Sequence, residues 1–433
     1  MDDRRDVARA SRGPNPLLRR RFDTEQRKLV LSLLTSLATR IPGIVGVLWF
    51  LPLVRFGLGT QEYATLLAAM ALGTAAAFLI GGYNVMGRRL VGEAYAAGRP
   101  DAEADGFASL FVANLAGWSI ATGVIGAYVM TDGKNSYYFL IAMMPATGIT
   151  LTMFDNARVA YNEHYVTALV QLALQVVIYT GGFLLPAARN DILLAALVIN
   201  SPTILASLVT LTLLLRTRPY LPRGRPNALR LTLREGTVVA IAEGSVTTAL
   251  SVAVVWLEAA SPPETSAWFS TVVRLSQSLL FPAILVLGPI SSYIRLYWHQ
   301  KSRADQNLYA KASLVIGAGY GATLALGLYV ASRFYVSGLL HLPAPPGWLN
   351  TVPIFCFFAA IVAWKAYSSI AYLVLNSSAH LSNRTTGAIG ISGLLSAAAA
   401  LVADPLTCVN VFAATGALLI FAVLITNLSR SLR

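Results

Sequence analysis

Residues 216–235 read RTRPYLPRGRPNALRLTLRE, and this stretch decides how the chain is organised. Arg216, Arg218, Arg223, Arg225, Arg230 and Arg234 crowd into it beside Pro219, Pro222 and Pro226. It is the longest basic, proline-containing connector in the sequence. On both sides lie apolar blocks of roughly 18–26 residues, each long enough to cross a hydrocarbon core of about 30 Å as a helix. Before the connector, spans are expected near 29–54, 62–86, 107–130, 137–155, 164–186 and 192–215. After it they are expected near 236–256, 267–290, 312–335, 351–376, 386–403 and 408–428. The sequence therefore predicts an all-α integral membrane protein of about 12 transmembrane helices in two six-helix lobes, 29–215 and 236–428, joined by a cytoplasmic linker at 216–235.

Composition supports this. Of 433 residues, 56% are hydrophobic and only 12% charged, about half the charged share of a soluble domain. The spans must be helical, because lipid offers backbone groups no water partner. A membrane β-barrel would instead show short alternating segments of about ten residues, and the sequence has none. The net charge of +13 would suggest nucleic acid in a soluble protein. Here it sits in loops, so it reads as topology and no nucleic-acid partner is expected.

The loop charges assign an orientation. With the N-terminus inside, the inner segments carry 26 of the 33 Lys and Arg and the outer loops carry three, Arg55, Lys134 and Arg189. That is a positive-inside pattern, with both termini cytoplasmic. Residues 1–28 are polar and basic, lack the apolar core of a signal peptide, and present Arg19, Arg20, Arg21, Arg27 and Lys28 to anionic lipid. Residues 429–433 form a cytoplasmic tail.

Four basic residues are left inside spans: Arg40, Arg274, Arg333 and Lys365. A charge at the bilayer centre costs about 2.5–3.5 kcal/mol on insertion scales, so each needs a reason. Arg333, with Arg55, is near enough to an interface to snorkel. Arg40, Arg274 and Lys365 are read as the walls of a cationic, water-filled cavity that accepts an anion; the alternative is pairing with an acid or with backbone carbonyls. Pro42 is expected to bend the first span beside Arg40. Arginine suits phosphate because its planar fork bonds two oxygens at once. Glu243 is the one deep acid, either a structural ion pair or a candidate ion-coupling group, and Asp155 is expected to be solvated. One acid against four bases argues against a carrier of cationic drugs.

Other signals are weak. No metal-ligand spacing, phosphate-cradling loop or nucleophile arrangement appears, and no cofactor is expected. Cys356 and Cys408 lie in apolar stretches and suggest no disulfide framework. His164, His299, His341 and His380 are scattered near span ends. The tryptophans mostly fall near expected interfaces, as an aromatic belt would. The sequons at Asn376 and Asn383 are expected to face inside and stay inert.

The first span ends in Leu58-Gly59-Thr60-Gln61-Glu62-Tyr63-Ala64. This resembles the opening signature of polysaccharide flippases of the Wzx type, Leu-Gly-x-x-Glu-Tyr-Gly, with Ala64 in place of the last glycine. Gly81-Gly82 and a basic exit close the second span, which is also similar. The resemblance places the chain with a superfamily that includes multidrug-and-toxin extruders and peptidoglycan-precursor flippases. It implies two six-helix bundles forming a V around a central cavity. It further implies transport of a polyprenyl-pyrophosphate-linked oligosaccharide across the bacterial inner membrane by alternating access, in polysaccharide biosynthesis and export. The partners would be that anionic lipid-linked sugar, membrane lipids and a polysaccharide polymerase. Translocation breaks no covalent bond, so no enzymatic activity is expected. The rival readings are a small-molecule antiporter coupled through Glu243 and a membrane-embedded glycosyltransferase or polymerase; the latter would usually carry a large outer loop, and that at 336–350 is short.

Overall fold

A computed structural model describes residues 16–161, 163–241, 245–278, 302–346, 351–374, 387, 390–393 and 403–430. Among these the chain is helical nearly throughout, with no strand. The helices are α1 Pro16–Ala76, α2 Phe78–Ala96, α3 Pro100–Thr131, α4 Ser136–Leu151, α5 Met153–Ala160, α6 His164–Leu184 and α7 Ile192–Thr217. After the connector come α8 Leu229–Val239, α9 Ser245–Ala260, α10 over 263–278, α11 Arg303–Ala331, α12 Val352–Val374 and α13 Pro405–Arg430. Seven segments among the described residues are long and apolar enough to cross a membrane. Helix is found in every expected span where it is described, although of that at 386–403 only 387, 390–393 and 403 are described.

Large apolar side chains sit on the outside as well as the inside. Trp49, Met130, Val177, Leu326, Phe334, Leu418 and Ile425 are all exposed. In water such a surface would drive aggregation; in a bilayer it is the lipid-facing surface.

The ends of the helices are set by polar residues in the loops. Asp191 caps α7, its carboxylate accepting from the Leu193 and Leu194 amides at 2.9 Å. Asn135 accepts from the Tyr138 amide at the start of α4, and Asp404 does the same for Leu406 and Thr407 at the start of α13. Each satisfies amides that the helix itself leaves orphaned.

The first two spans are continuous in α1 apart from Gly59, the one residue of that helix with non-helical dihedrals, φ 82° and ψ 173°. Only glycine adopts this conformation without strain, which explains its place in the turn. The backbone keeps helical dihedrals through Pro42 and Pro52. Gly57 packs directly on the Arg189 carbonyl.

One apolar core runs through both halves of the chain, from Phe50, Tyr63 and Leu67 to Trp268, Phe357, Trp364 and Ile420. Trp268 and Trp364 are fully buried in it, which corrects the belt expectation for these two. Trp49 and Trp256, by contrast, are exposed. A second core, built from Val91, Phe107, Phe154, Tyr161 and Leu214, includes Leu221 of the connector.

That connector is docked on the first half of the chain. Asp105 accepts from the Arg225 amide at 2.8 Å and from the Asn227 side chain at 2.7 Å. Ser109 accepts from the Ala228 amide, and Tyr220 donates to the buried Glu103 at 2.7 Å. Burial and the Glu103 bond push the Tyr220 hydroxyl up to about 12. Arg218 forms an ion pair with Glu163 at 2.8 Å and lies over the Tyr161 ring at 3.6 Å. Glu163 also holds the buried Arg158, at 3.1 Å. Nearby, His164 Nδ1 lies 2.9 Å from Asp155. Asp155 is thus paired rather than freely solvated, and His164 is a buried partner rather than a lone interfacial histidine.

The halves meet at several points. Gly82 of α2 crosses Gly236 of α8 so closely that a Cβ on Gly82 would overlap the Gly236 carbonyl. Tyr83 lies 3.4 Å from Thr237 at the same crossing. Small residues allow such backbone-to-backbone approach between helices in lipid. Toward the other end Tyr335 donates to the Leu48 carbonyl at 2.8 Å, and Phe56 and His341 meet edge to face.

Candidate functional site

Of the residues singled out in the sequence, Arg274 is the one whose surroundings are described. The side chains of Arg40 and Lys365, and the whole of Glu243, lie outside the described residues. Arg333 is exposed and lies 5.7 Å from the Tyr329 ring. Arg55 is partly buried, and its Nε has no partner among the described residues.

Arg274 lies four residues before the end of the described part of α10. Ser270, Arg274 and Gln277 follow the spacing that puts residues on one face of a helix. Opposite them, Leu67, Met70, Ala71 and Thr74 of α1 show the same spacing. Together with Val254 and Val273 these residues enclose a cavity of about 20 Å³. Arg274 also lines a second cavity, of about 10 Å³, with Gly46, Phe50 and Leu51 of α1, Tyr179 of α6 and Ile199 of α7. The guanidinium therefore stands between the halves, carried by one and faced by three helices of the other. The cavities are roughly water-sized.

The lining offers donors. Arg274 Nε and the Ser270 hydroxyl are buried without a hydrogen-bond partner among the described residues. Gln277 lies 3.5 Å from Ser251. No ion pair to Arg274 forms among the described residues. A donor-rich, acid-poor lining favours an anion, since a buried cation is stable only when paired.

One turn away, Tyr63 of the Leu-Gly-Thr-Gln-Glu-Tyr stretch is fully buried, its hydroxyl 3.0 Å from Thr271. The sequence places Tyr63 in a motif and assigns it no contact. A tyrosine shortly after a turn glycine, at the head of an apolar run, is the only signal there that could have pointed to it.

No protein-family model matches the chain, and no curated protein matches it. Solved structures do. The chain is similar to MATE in complex with MaD3S, at 13% identity and a TM-score of 0.59 over 92% of this chain and 97% of that one. It is similar to the eukaryotic MATE transporter AtDTX14, at 13% identity and 0.57 over 95% and 98%. It is also similar to the MATE multidrug transporter DinF-BH, at 15% identity and 0.55 over 94% and 95%. At such identities the likeness is one of fold. The chain has the twelve-helix membrane fold of these proteins along nearly its whole length.

Proposed function

We propose that this protein is a flippase that moves a polyprenyl-pyrophosphate-linked oligosaccharide across the bacterial inner membrane by alternating access. Both termini are taken as cytoplasmic, following the loop charges. The observation that carries the reading is Arg274, a guanidinium held between the halves with donor groups around it and no carboxylate partner among the described residues. The pyrophosphate would take the fork of Arg274, with Arg40 and Lys365 contributing charge, while the lipid tail stays in the bilayer. Separation of α10 from α1 and α6 would admit it. A polysaccharide polymerase would receive the product.

A second reading has its own support: multidrug transporters share this fold. In that case the substrate is a small molecule and Glu243 is the coupling group. The lining of Arg274 favours the first reading, because a cationic drug gains nothing from a buried cation.

The test is transfer of a fluorescent polyprenyl-pyrophosphate sugar between the leaflets of proteoliposomes. Arg274→Ala should abolish it at normal protein levels. Unchanged transfer in Arg274→Ala, Arg40→Ala and Lys365→Ala would remove the anion assignment. Proton- or Na⁺-driven drug uptake that Glu243→Gln abolishes would favour the second reading.

A further inference from the structure

The turn joining α3 to α4 is built to hold one lysine still. The Asp132 amide donates to the Tyr128 carbonyl, Gly133 takes φ 64°, and the Lys134 amide donates to the Val129 carbonyl. The first is the last ordinary bond of the helix, and the second, spanning a left-handed glycine, is the long bond of a glycine C-cap. The next residue, Asn135, caps α4. Lys134 is thus fixed by one helix end before it and another after it.

Its ammonium reaches across to the second half of the chain. Lys134 Nζ lies 2.9 and 3.1 Å from the two oxygens of Glu258, in the last turn of α9. Asp132 stands 3.4 Å from the same nitrogen, and the Tyr138 ring lies 5.5 Å away. Thr65 of α1 also donates to Glu258, at 3.3 Å. The Glu258 side chain is only 4% exposed. Both of these donors to the buried carboxylate come from the first half.

We propose that Lys134 and Glu258 form a charge latch that closes this end of the protein and breaks whenever the end opens. The proposal rests on alternating access but not on the identity of the substrate. The physical basis is the difference between half-broken and fully broken. Removing Lys134 while the halves stay together leaves Glu258 buried and uncompensated, which is strongly unfavourable, whereas removing Glu258 leaves Lys134 with Asp132 still beside it. Full separation instead returns both ions to water, which offsets most of the lost attraction. The contact is therefore stable when shut, unstable when ajar, and inexpensive to open completely. A hydrophobic seal of the same area would lack that last property.

The test needs no substrate. Ser266 lies one helical turn above Ser270 on the face of α10 that meets α1, and it is 1% exposed. Ser266→Cys, in a background with Cys356 and Cys408 replaced by serine, reports opening through its rate of reaction with a membrane-impermeant maleimide. With the open state a minor one, Lys134→Gln should raise that rate about tenfold, and Glu258→Gln should raise it by less, since Asp132 still faces Lys134. The exchanged pair Lys134→Glu/Glu258→Lys should return it toward the parent rate. Unaltered rates in both single variants would overturn the latch, as would an exchanged pair as fast as the singles. Should a single variant misfold, Lys134→Cys/Glu258→Cys joined by a reducible bifunctional maleimide takes its place. Joining should stop both labelling and transport, and reduction should restore them; transport that persists in the joined protein also overturns the proposal. Failure of lipid-linked sugar transfer with the labelling pattern intact would count against the flippase reading alone.

Discussion

Tyr63 donates its hydroxyl hydrogen to Thr271 across 3.0 Å, joining residues 208 positions apart. The direction follows from Thr271, whose own hydrogen is committed to the Ala267 carbonyl at 2.7 Å. The bond ties the turn after Gly59 to α10, three residues before Arg274. Tyr63→Phe removes one buried hydrogen bond, and about 1 kcal/mol of stability should go with it. Tyr63→Ala removes a fully buried ring, and a loss of about 3–5 kcal/mol is expected by analogy with other aromatic truncations. Thermal unfolding of the purified protein in detergent should rank parent, Phe and Ala in that order.

The adjacent glycines of α2 should behave differently. A Cβ on Gly82 would overlap the Gly236 carbonyl and Ala240, whereas one on Gly81 meets nothing within 4 Å. Gly82→Ala should destabilise by about 1–3 kcal/mol as the backbones are forced apart. Gly81→Ala should be neutral or slightly stabilising through the unfolded state. Melting temperatures of the two variants, measured side by side, check the contrast.

Glu163 holds Arg158 and Arg218 together at the root of the connector. Arg158 is 3% exposed, so Glu163→Gln leaves it buried and unpaired, at about 3–5 kcal/mol. The connector should then loosen from Asp105 and Glu103. Limited trypsin digestion is expected to cut within 216–235 faster in the variant than in the parent.

Asp404 gives a pH dependence with a definite sign. Its bond to the Thr407 hydroxyl, opposed by some desolvation and aided by backbone amides, holds the carboxyl below its ordinary 3.8. A depressed carboxyl contributes stability above its ordinary value and loses it as pH falls through the folded value. Asp404→Ala should cost about 1 kcal/mol at neutral pH through the lost cap. Asp404→Asn keeps the cap and should flatten the acid limb of the stability curve.

For Arg274 the substitution by lysine is the informative one. Charge survives but the bidentate fork does not. Lipid-linked sugar transfer by Arg274→Lys should fall between parent and Arg274→Ala, with the loss mainly in apparent affinity. Initial rates over a range of substrate concentration separate the two effects.

Much of this architecture can be read from the residues alone. The spans follow from apolar length, and helix is found in each of them where it is described. Gly59 is visible as a turn because a short polar break interrupts two apolar runs. Arg274 stands out because a charge in lipid demands a reason. The rest depends on which helices touch. Nothing near Lys134 announces Glu258, which lies 124 positions away. An apolar window cannot tell the buried Trp268 from the exposed Trp256, since both fit an interfacial position. His164 and Asp155 are only nine positions apart, yet their pairing depends on how α5 meets α6.

The crossing of Gly82 and Gly236 has a mechanical meaning. Backbone rests on backbone there, with no side chain between to shear or compress, so the contact can serve as a fulcrum. Tyr63 lies nineteen residues up the chain from Gly82, a lever arm of ~28 Å at helical rise. Tilting the halves by ~10° about that point would part the far end by ~5 Å, more than a salt bridge can span. On that geometry a small rotation at two glycines would be enough to part the opposite end.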